Sequence, residues 1–256
     1  MLKVVIDMLE RKLLEEAKKE YDLKKEISLI SDKEKNDLVS DLNNYPHAFV
    51  LACVMDRQIP FERAWSIPYL IKVVLGDFSI NTLYNLSLDE YRKIFNENKL
   101  HRYNDVMAEV FYNAVKKIVD EYNGNASNIW NSKPSSSMVV SRFLDFDGVG
   151  IKIATMATNI LARDFKIKLS DYYSIDISPD IHIKRVFKRM GFIKKKDVNN
   201  IEKIIYKART INPTFPGIID YTCWKLGKDI CRPKKPKCSE CIFKKECPQE
   251  IDDNDF

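Results

Sequence analysis

The hydrophobic positions of this chain recur mostly every three or four residues, which is the period of an amphipathic helix. Residues 2–20 alternate charged and apolar positions with this period and predict a first helix. Only seven glycines occur in 256 residues, which disfavours a sheet sandwich. The pattern therefore predicts an all-α fold.

Local signals predict where several helices begin and end. Ser31-Asp-Lys-Glu34 and Ser87-Leu-Asp-Glu90 both match the capping box, in which a serine and a glutamate three residues later satisfy each other's backbone N–H groups. A buried helix is predicted for AFVLACVM, with a break near Ile59-Pro60 and a second helix from Phe61. Glycines at 76 and 124 stand where helices commonly end. Residues 131–137 are predicted to form a loop.

Composition and charge narrow the class of protein. A 45% hydrophobic content is enough for one large domain or two small ones. The N-terminus lacks a secretory signal pattern, and no run of about 18 apolar residues predicts a membrane span. We therefore expect a soluble protein of the cytoplasm or nucleus that is not secreted and does not bind a membrane.

The positive charge is concentrated in one region. Residues 181–247 hold 18 Lys and Arg against 6 Asp and Glu, whereas the net charge of the whole chain is only +5. Such a segment suits a polyanion such as nucleic acid, although a solvated lysine-rich surface remains the alternative.

Four of the six cysteines fall in one short window, with the spacing C-x6-C-x2-C-x5-C: Cys231, Cys238, Cys241 and Cys247. In a reducing compartment they are expected to be metal ligands, and the two cysteines outside the window, Cys53 and Cys223, to be buried packing residues. Four thiolates can hold a zinc ion or a [4Fe–4S] cluster. The spacing alone leaves both open.

The turn Asp147-Gly-Val-Gly150 directly precedes an apolar helix. Two glycines flanking one residue permit a tight turn that leaves backbone N–H groups pointing outward at the N-terminus of the following helix. Such a terminus can bind an anion, and a phosphate of DNA is the candidate. A plain turn between two helices is the alternative.

Three motifs in order resemble one family. The stretch FDGVGIKIA resembles the helix-hairpin-helix of the endonuclease III superfamily of DNA glycosylases, residues 178–186 (SPDIHIKRV) resemble its aspartate motif, and the four cysteines resemble its cluster loop. The resemblance extends over roughly residues 46–248. It implies a [4Fe–4S] cluster on the four cysteines and a basic loop that carries Lys234, Lys235 and Lys237 toward DNA.

The resemblance also implies the architecture. Two helical domains would flank a DNA-binding cleft. Residues 46–165 would form a six-helix domain with the helix-hairpin-helix, and residues 1–45 and 166–256 would form the cluster domain.

The same motifs imply the reacting residues. Lys152 stands where bifunctional members carry the lysine that forms a Schiff base, and we expect it to be partly buried so that it can lose its proton. Asp180 stands where the family has the carboxylate that stabilises the positive charge on the sugar. The alternative is a phosphate contact for Lys152 and a helix cap for Asp180. Asp176 is a nearby second carboxylate, otherwise a solvated turn residue, and His182 is expected to be structural.

DNA contacts are implied for Gly148 and Gly150 of the hairpin, and for Arg57 and Gln58, the glutamine that fills the space left by an extruded base. The match is partial. Ile59 and Pro60 follow Gln58 where the family has other residues, and Asp147 replaces the usual proline of the hairpin.

The resemblance implies a monomeric bifunctional DNA glycosylase and abasic-site lyase that acts on double-stranded DNA with a damaged or mismatched base or an abasic site. Two alternatives remain at this point. The chain could be a glycosylase without lyase activity, or a non-catalytic iron–sulfur module that binds DNA.

Overall fold

The computed structural model describes residues 2–23 and 26–251. Within these residues the chain forms twelve α-helices and four short 3-10 helices, without a β-strand. The predicted all-α fold is confirmed. The α-helices are α1 (Leu2–Asp22), α2 (Lys33–Ser40), α3 (Pro46–Met55), α4 (Phe61–Leu75), α5 (Ile80–Tyr84), α6 (Leu88–Glu97), α7 (Asn104–Tyr122), α8 (Ser136–Leu144), α9 (Ile151–Arg163), α10 (Ile181–Arg189), α11 (Ile201–Ile211) and α12 (Asp220–Asp229).

The chain divides into two compact units. Unit 1 comprises Met1–Lys25, Ser135–Ser137 and Thr158–Phe256, and unit 2 comprises Glu26–Pro134 and Met138–Ala157. Helix α2 packs against α3 and α4 and therefore lies in unit 2, whereas the resemblance implied the cluster domain for it. The domain boundaries at residues 46 and 165 stay a prediction.

Helix α3 lies in the core of unit 2. All ten of its residues are buried, which explains why its sequence is apolar all round and lacks an amphipathic pattern. Phe49 of α3 packs edge-on against Trp65 of α4 and against Trp130. Helices α2, α4 and α7 surround it.

In unit 1, α10 and α12 approach each other closely at Gly227. A Cβ atom at this position would lie 2.7 Å from the Cβ of His182 and 3.0 Å from its carbonyl oxygen. Since real Cβ atoms almost never approach so closely, a larger residue would push the two helices apart. Helix α1 packs against α11 and α12 in the same unit.

Most of the predicted helix ends are confirmed. Helix α1 covers the predicted residues, and the chain breaks between α3 and α4 at Pro60. Gly76 ends α4 with φ of 73°, in the left-handed region that favours glycine, and Gly124 follows the end of α7 with φ of 71°. The predicted loop at 131–137 ends earlier, because α8 begins at Ser136.

The predicted capping box at Ser87 is confirmed, and the one at Ser31 is wrong. Ser87 Oγ accepts the Glu90 N–H, and the Glu90 carboxylate accepts the Ser87 N–H. Helix α2 instead begins one residue later, with Asp32 as its cap, accepting the Lys35 N–H. Glu34 accepts a hydrogen bond from the hydroxyl of Tyr69 on α4, so a tertiary contact replaces the local one.

Cys53 and Cys223 are fully buried, as predicted, and burial raises the pKa of both thiols well above the usual value. In the part of the chain that the structure describes, the helices are too short or too polar to span a membrane.

The two capping-box sequences form a matched pair for mutation. We expect Ser87→Ala to lower the free energy of unfolding by about 1 kcal/mol, because it removes a cap that accepts a backbone N–H. Ser31→Ala should change it by less than about 0.5 kcal/mol, as for an ordinary surface substitution. Urea unfolding followed by circular dichroism measures both, and equal losses would contradict the assignment of the caps.

Candidate nucleic-acid interface and cysteine site

The helix-hairpin-helix predicted from the sequence is present in the structure. Helix α8 ends at Leu144, and α9 begins at Ile151. Val149 in the turn between them is buried, and its N–H donates to the carbonyl of Phe146 at 3.1 Å. Gly148 in this turn is exposed and has φ of 76°. Because this φ lies in the left-handed region, the turn favours glycine at this position.

The hairpin lies against the loop between α3 and α4. A Cβ atom on Gly148 would lie only 2.2 Å from Nη1 of Arg57, so the guanidinium occupies the space that a side chain would need. The Arg57 carbonyl bonds Nε2 of His101 at 2.9 Å. Burial lowers the pKa of His101, so its ring is neutral at neutral pH. Two motifs far apart in sequence thus share one surface of unit 2.

Gln58 is exposed and has φ of 53°, an uncommon backbone conformation for a residue other than glycine. Such conformations persist only where the surrounding structure holds them, and they concentrate at functional sites. The backbone directly before Gln58 is held in a turn, in which the N–H of Arg57 donates to the carbonyl of Met55 at 2.8 Å.

The other side of the hairpin is open. A Cβ atom on Gly150 would meet no atom within 4 Å. Among the described residues, no backbone acceptor takes the N–H groups of Gly150, Ile151 and Lys152, which form the first turn of α9. Such donors at a helix N-terminus suit an anion. Asp147, in the turn just before these groups, is exposed and accepts a hydrogen bond from the side-chain amide of Asn113 at 2.8 Å. Because this amide is uncharged, the bond does not neutralise the carboxylate.

Lys152 is the second residue of α9 and is exposed. The partial burial expected from the sequence is therefore not found in this structure. The helix start that carries Lys152 is well anchored. Thr155, one turn later, is buried, and its hydroxyl donates to the carbonyl of Ile151 at 2.8 Å. The lysine projects from the same short segment as the free N–H groups.

Asp180 is the N-cap of α10 in unit 1. Its Oδ1 accepts the N–H groups of His182 at 2.9 Å and Ile183 at 2.8 Å. The capping role weighed from the sequence is present, but both bonds use one oxygen of the carboxylate. The second oxygen, Oδ2, does not take part in the cap.

The two neighbours considered beside Asp180 have other partners. Asp176 is buried, not a solvated turn residue, and both its oxygens bind the guanidinium of Arg209 at 2.8 Å. His182 lies against Gly227 and bonds Nη2 of Arg185 through Nδ1 at 3.0 Å. Both therefore have structural contacts in unit 1.

The four cysteines of the window line one cavity in unit 1, together with the apolar side chains of Met190, Leu226 and Ile230. In the part of the chain that the structure describes, no three His, Cys, Asp or Glu residues are grouped closely enough to hold a single metal ion. The four cysteines nevertheless line the same cavity. Burial raises the pKa of Cys247 to about 11, so binding a metal must release its proton.

Helix α10 carries three buried cations, Arg185, Lys188 and Arg189, which the charge count had assigned to the basic surface. They donate to backbone carbonyls around the cysteine window: Arg185 to Gly227 and Cys231 at 2.7 Å, Lys188 to Glu250 at 2.6 Å, and Arg189 to Arg232 at 2.6 Å and Pro233 at 3.0 Å. Part of the positive charge therefore holds the loop and does not face solvent. No spacing signal in the sequence distinguished these cations from surface ones.

The remaining basic residues of the loop are accessible. Lys234 and Lys235 are exposed. Lys237 is half-buried and pairs with Glu240 at 3.4 Å, so its charge is partly balanced. The Lys237 N–H donates to the carbonyl of Ile230 at 2.9 Å and closes the loop.

Comparisons with solved structures show that DNA glycosylases share this all-helical fold. A thermostable thymine-DNA glycosylase matches with a TM-score of 0.64 and 15% identity, covering 95% of this chain and 97% of that one. A non-covalent endonuclease III–DNA complex matches with a TM-score of 0.60 and 18% identity, covering 93% and 94%. A trapped endonuclease III–DNA covalent intermediate gives 0.56 and 16%, covering 86% and 97%.

Curated proteins similar in sequence to this chain are also named endonuclease III. The endonuclease III homolog of Encephalitozoon cuniculi is 29% identical over 84 residues, 30% of this chain and 32% of the relative. Endonuclease III of Buchnera aphidicola subsp. Schizaphis graminum is 27% identical over 139 residues, 51% and 61%. The chain thus spans less than two thirds of the length of these relatives, and no family model matches it. The resemblance to the endonuclease III superfamily is confirmed.

Substitutions at the two glycines of the hairpin test its contributions to folding and to DNA binding separately. Gly148→Ala should lower the free energy of unfolding by about 1–2 kcal/mol, because alanine disfavours a left-handed φ, and should also displace Arg57. Gly150→Ala should change it by less than about 0.5 kcal/mol. If a phosphate occupies the open space, Gly150→Ala should still weaken duplex binding, measured by fluorescence anisotropy. Unchanged affinity would make this turn a plain interhelical connection.

Proposed function

We propose that this chain is a base-excision DNA glycosylase that also cleaves the strand at abasic sites, with Lys152 as nucleophile. The observation that carries the proposal is the position of Lys152. It stands on the first turn of α9, next to N–H groups suited to a DNA phosphate, in a fold shared with endonuclease III. A phosphate bound at this turn would bring the sugar-phosphate backbone within reach of the amine.

Duplex DNA would be held by contacts to its phosphates and opened by the Gln58 loop. The hairpin N–H groups and the exposed Lys234 and Lys235 supply binding that is independent of sequence. Gln58 and Arg57 would enter the duplex where the target base leaves the stack. The contact between Arg57 and Gly148 supports a single surface for both tasks.

The chemistry needs an unprotonated amine. The Lys152 nitrogen would attack C1′, forming a C–N bond while the bond to the base breaks and its electron pair leaves with the base. The nitrogen would then lose a proton and form the C=N bond of a Schiff base as the C1′–O4′ bond of the sugar ring breaks and O4′ takes up a proton. Loss of the C2′ proton from this Schiff base expels the 3′ phosphate, which cuts the strand. Because Lys152 is exposed in the structure, bound DNA would have to exclude water from the amine.

Asp180 would stabilise the positive charge that develops on the sugar as the base departs. Its two roles are compatible, because Oδ1 holds the helix cap and Oδ2 remains for electrostatic contact. Asparagine is also a good cap, so a single substitution can remove the charge and keep the helix start.

The four cysteines would hold a [4Fe–4S] cluster, and this proposal is supported by the single cavity that all four of them line. When bound, the cluster would supply a structural cross-link among the segments that carry the basic loop. Cys231 and Cys238 flank that loop, so their attachment at one place would restrict its conformations.

The cofactor is tested by its composition. Protein purified without oxygen should contain about four irons and absorb broadly near ~400 nm, as Cys₄-ligated clusters do. Removing the iron should lower the melting temperature, because metal binding contributes to folding free energy. One zinc per chain in a colourless protein would contradict the assignment.

The nucleophile is tested by trapping. Borohydride should reduce the Schiff base to a stable amine and link the protein to DNA with an abasic site. Lys152→Ala should abolish this adduct and retain duplex binding, because phosphate contacts remain. Lys93→Ala, which removes an exposed lysine on α6, should trap as well as wild type. Undiminished trapping in Lys152→Ala would leave the lysine a phosphate contact.

The carboxylate is tested in the same assays. Asp180→Asn should keep the melting temperature and duplex binding but slow base excision on the order of 10²-fold or more, because an amide offers no negative charge. If wild type excises a base without nicking the strand, the chain is a glycosylase without lyase activity. If it binds DNA with an intact cluster and does neither, it is a binding module.

A further inference from the structure

Arg189 has an unusual position at the end of α10. The residue is only 1% exposed. Its side chain contacts one end of the cysteine window, and its backbone carbonyl contacts the other end. Nη1 lies 3.7 Å from the sulfur of Cys231, the first cysteine, and the Arg189 carbonyl lies 3.5 Å from the sulfur of Cys247, the last one. Arg189 also lines the cavity that the cysteines enclose.

The same guanidinium binds the beginning of the basic loop. Nη1 donates to the carbonyl of Arg232 at 2.6 Å, and Nη2 donates to that of Pro233 at 3.0 Å. A planar guanidinium can direct several donors at once in fixed directions, whereas an ammonium acts as a point charge. Arg189 thus couples the orientation of Cys231 to the path of the two residues that follow it.

We propose that Arg189 is a positioning residue that holds Cys231 and the start of the basic loop in one geometry and supplies a positive charge to the cluster. The inference rests on the cluster of the proposed function but not on glycosylase activity. A cluster ligated by four thiolates is anionic and gains negative charge on reduction. A cation in contact with one thiolate stabilises the reduced form more and raises the reduction potential, as hydrogen bonds to the sulfurs also do.

Charge and shape can be separated with two substitutions. Arg189→Met removes the charge and keeps an unbranched apolar side chain of similar length. Arg189→Lys keeps the charge but cannot bind both carbonyls and the sulfur in the same fixed geometry. Lys188→Met is the matched control, because Lys188 is an equally buried cation on the same helix whose ammonium donates to the carbonyl of Glu250.

Two measurements report the two roles. Protein-film voltammetry of the iron-loaded proteins should give a more negative potential for Arg189→Met, a smaller shift for Lys188→Met and a near-wild-type value for Arg189→Lys. Hydrogen exchange at the Lys237 amide, whose bond to Ile230 closes the loop, should accelerate at least about fivefold in both Arg189 variants, the factor expected for one lost hydrogen bond.

A wild-type potential in loaded Arg189→Met, or unchanged Lys237 exchange in both Arg189 variants, would overturn the inference while leaving the cofactor intact. If Arg189→Met assembles no cluster, Arg189→Lys decides. A loaded protein with near-wild-type potential and faster Lys237 exchange supports the role, and either a large shift in its potential or failure to load overturns it. Zinc in the wild-type protein would overturn both this inference and the proposed cofactor, and iron analysis distinguishes that case.

Discussion

The burial of three cations on α10 is the constraint on which the cysteine site depends. A buried cation is costly unless polar groups satisfy it. The carbonyls that satisfy Arg185, Lys188 and Arg189 belong to the segments around the cysteine window. The loop must therefore follow a path that presents these carbonyls, and the cysteines line one cavity as a result. The path of the cysteine loop and the buried positive charges of α10 therefore depend on each other.

The same helix begins at Asp180, so one element of unit 1 carries the proposed charge-stabilising carboxylate and the contacts to the cysteine loop. Gly227 lets α12 approach the first turn of α10, where His182 lies. This close packing fixes the direction of the helix start and with it the orientation of the Asp180 carboxylate. A substitution at Gly227 would therefore act on the proposed chemistry by displacing the start of α10.

In unit 2 the corresponding constraint is the left-handed backbone of Gly148. The absence of a side chain leaves room for the Arg57 guanidinium, which joins the hairpin to the Gln58 loop. Gly150 has no such steric need, because the space beside it is open. The two glycines look alike in the sequence. Only their surroundings separate a residue that the backbone requires from one that leaves space for a ligand.

The sequence by itself determined the helical class, most helix ends, the hairpin and the cysteine window, because these depend on period, glycine conformation and spacing between near neighbours. Tertiary structure decided the rest. Ser31 and Ser87 have the same local pattern, but Tyr69 binds Glu34, and only Ser87 forms the capping box. Likewise, the lysines and arginines of residues 181–247 carry the same charge in the sequence. Whether a cation faces solvent or a buried carbonyl depends on which segments fold against it, and local spacing does not record that.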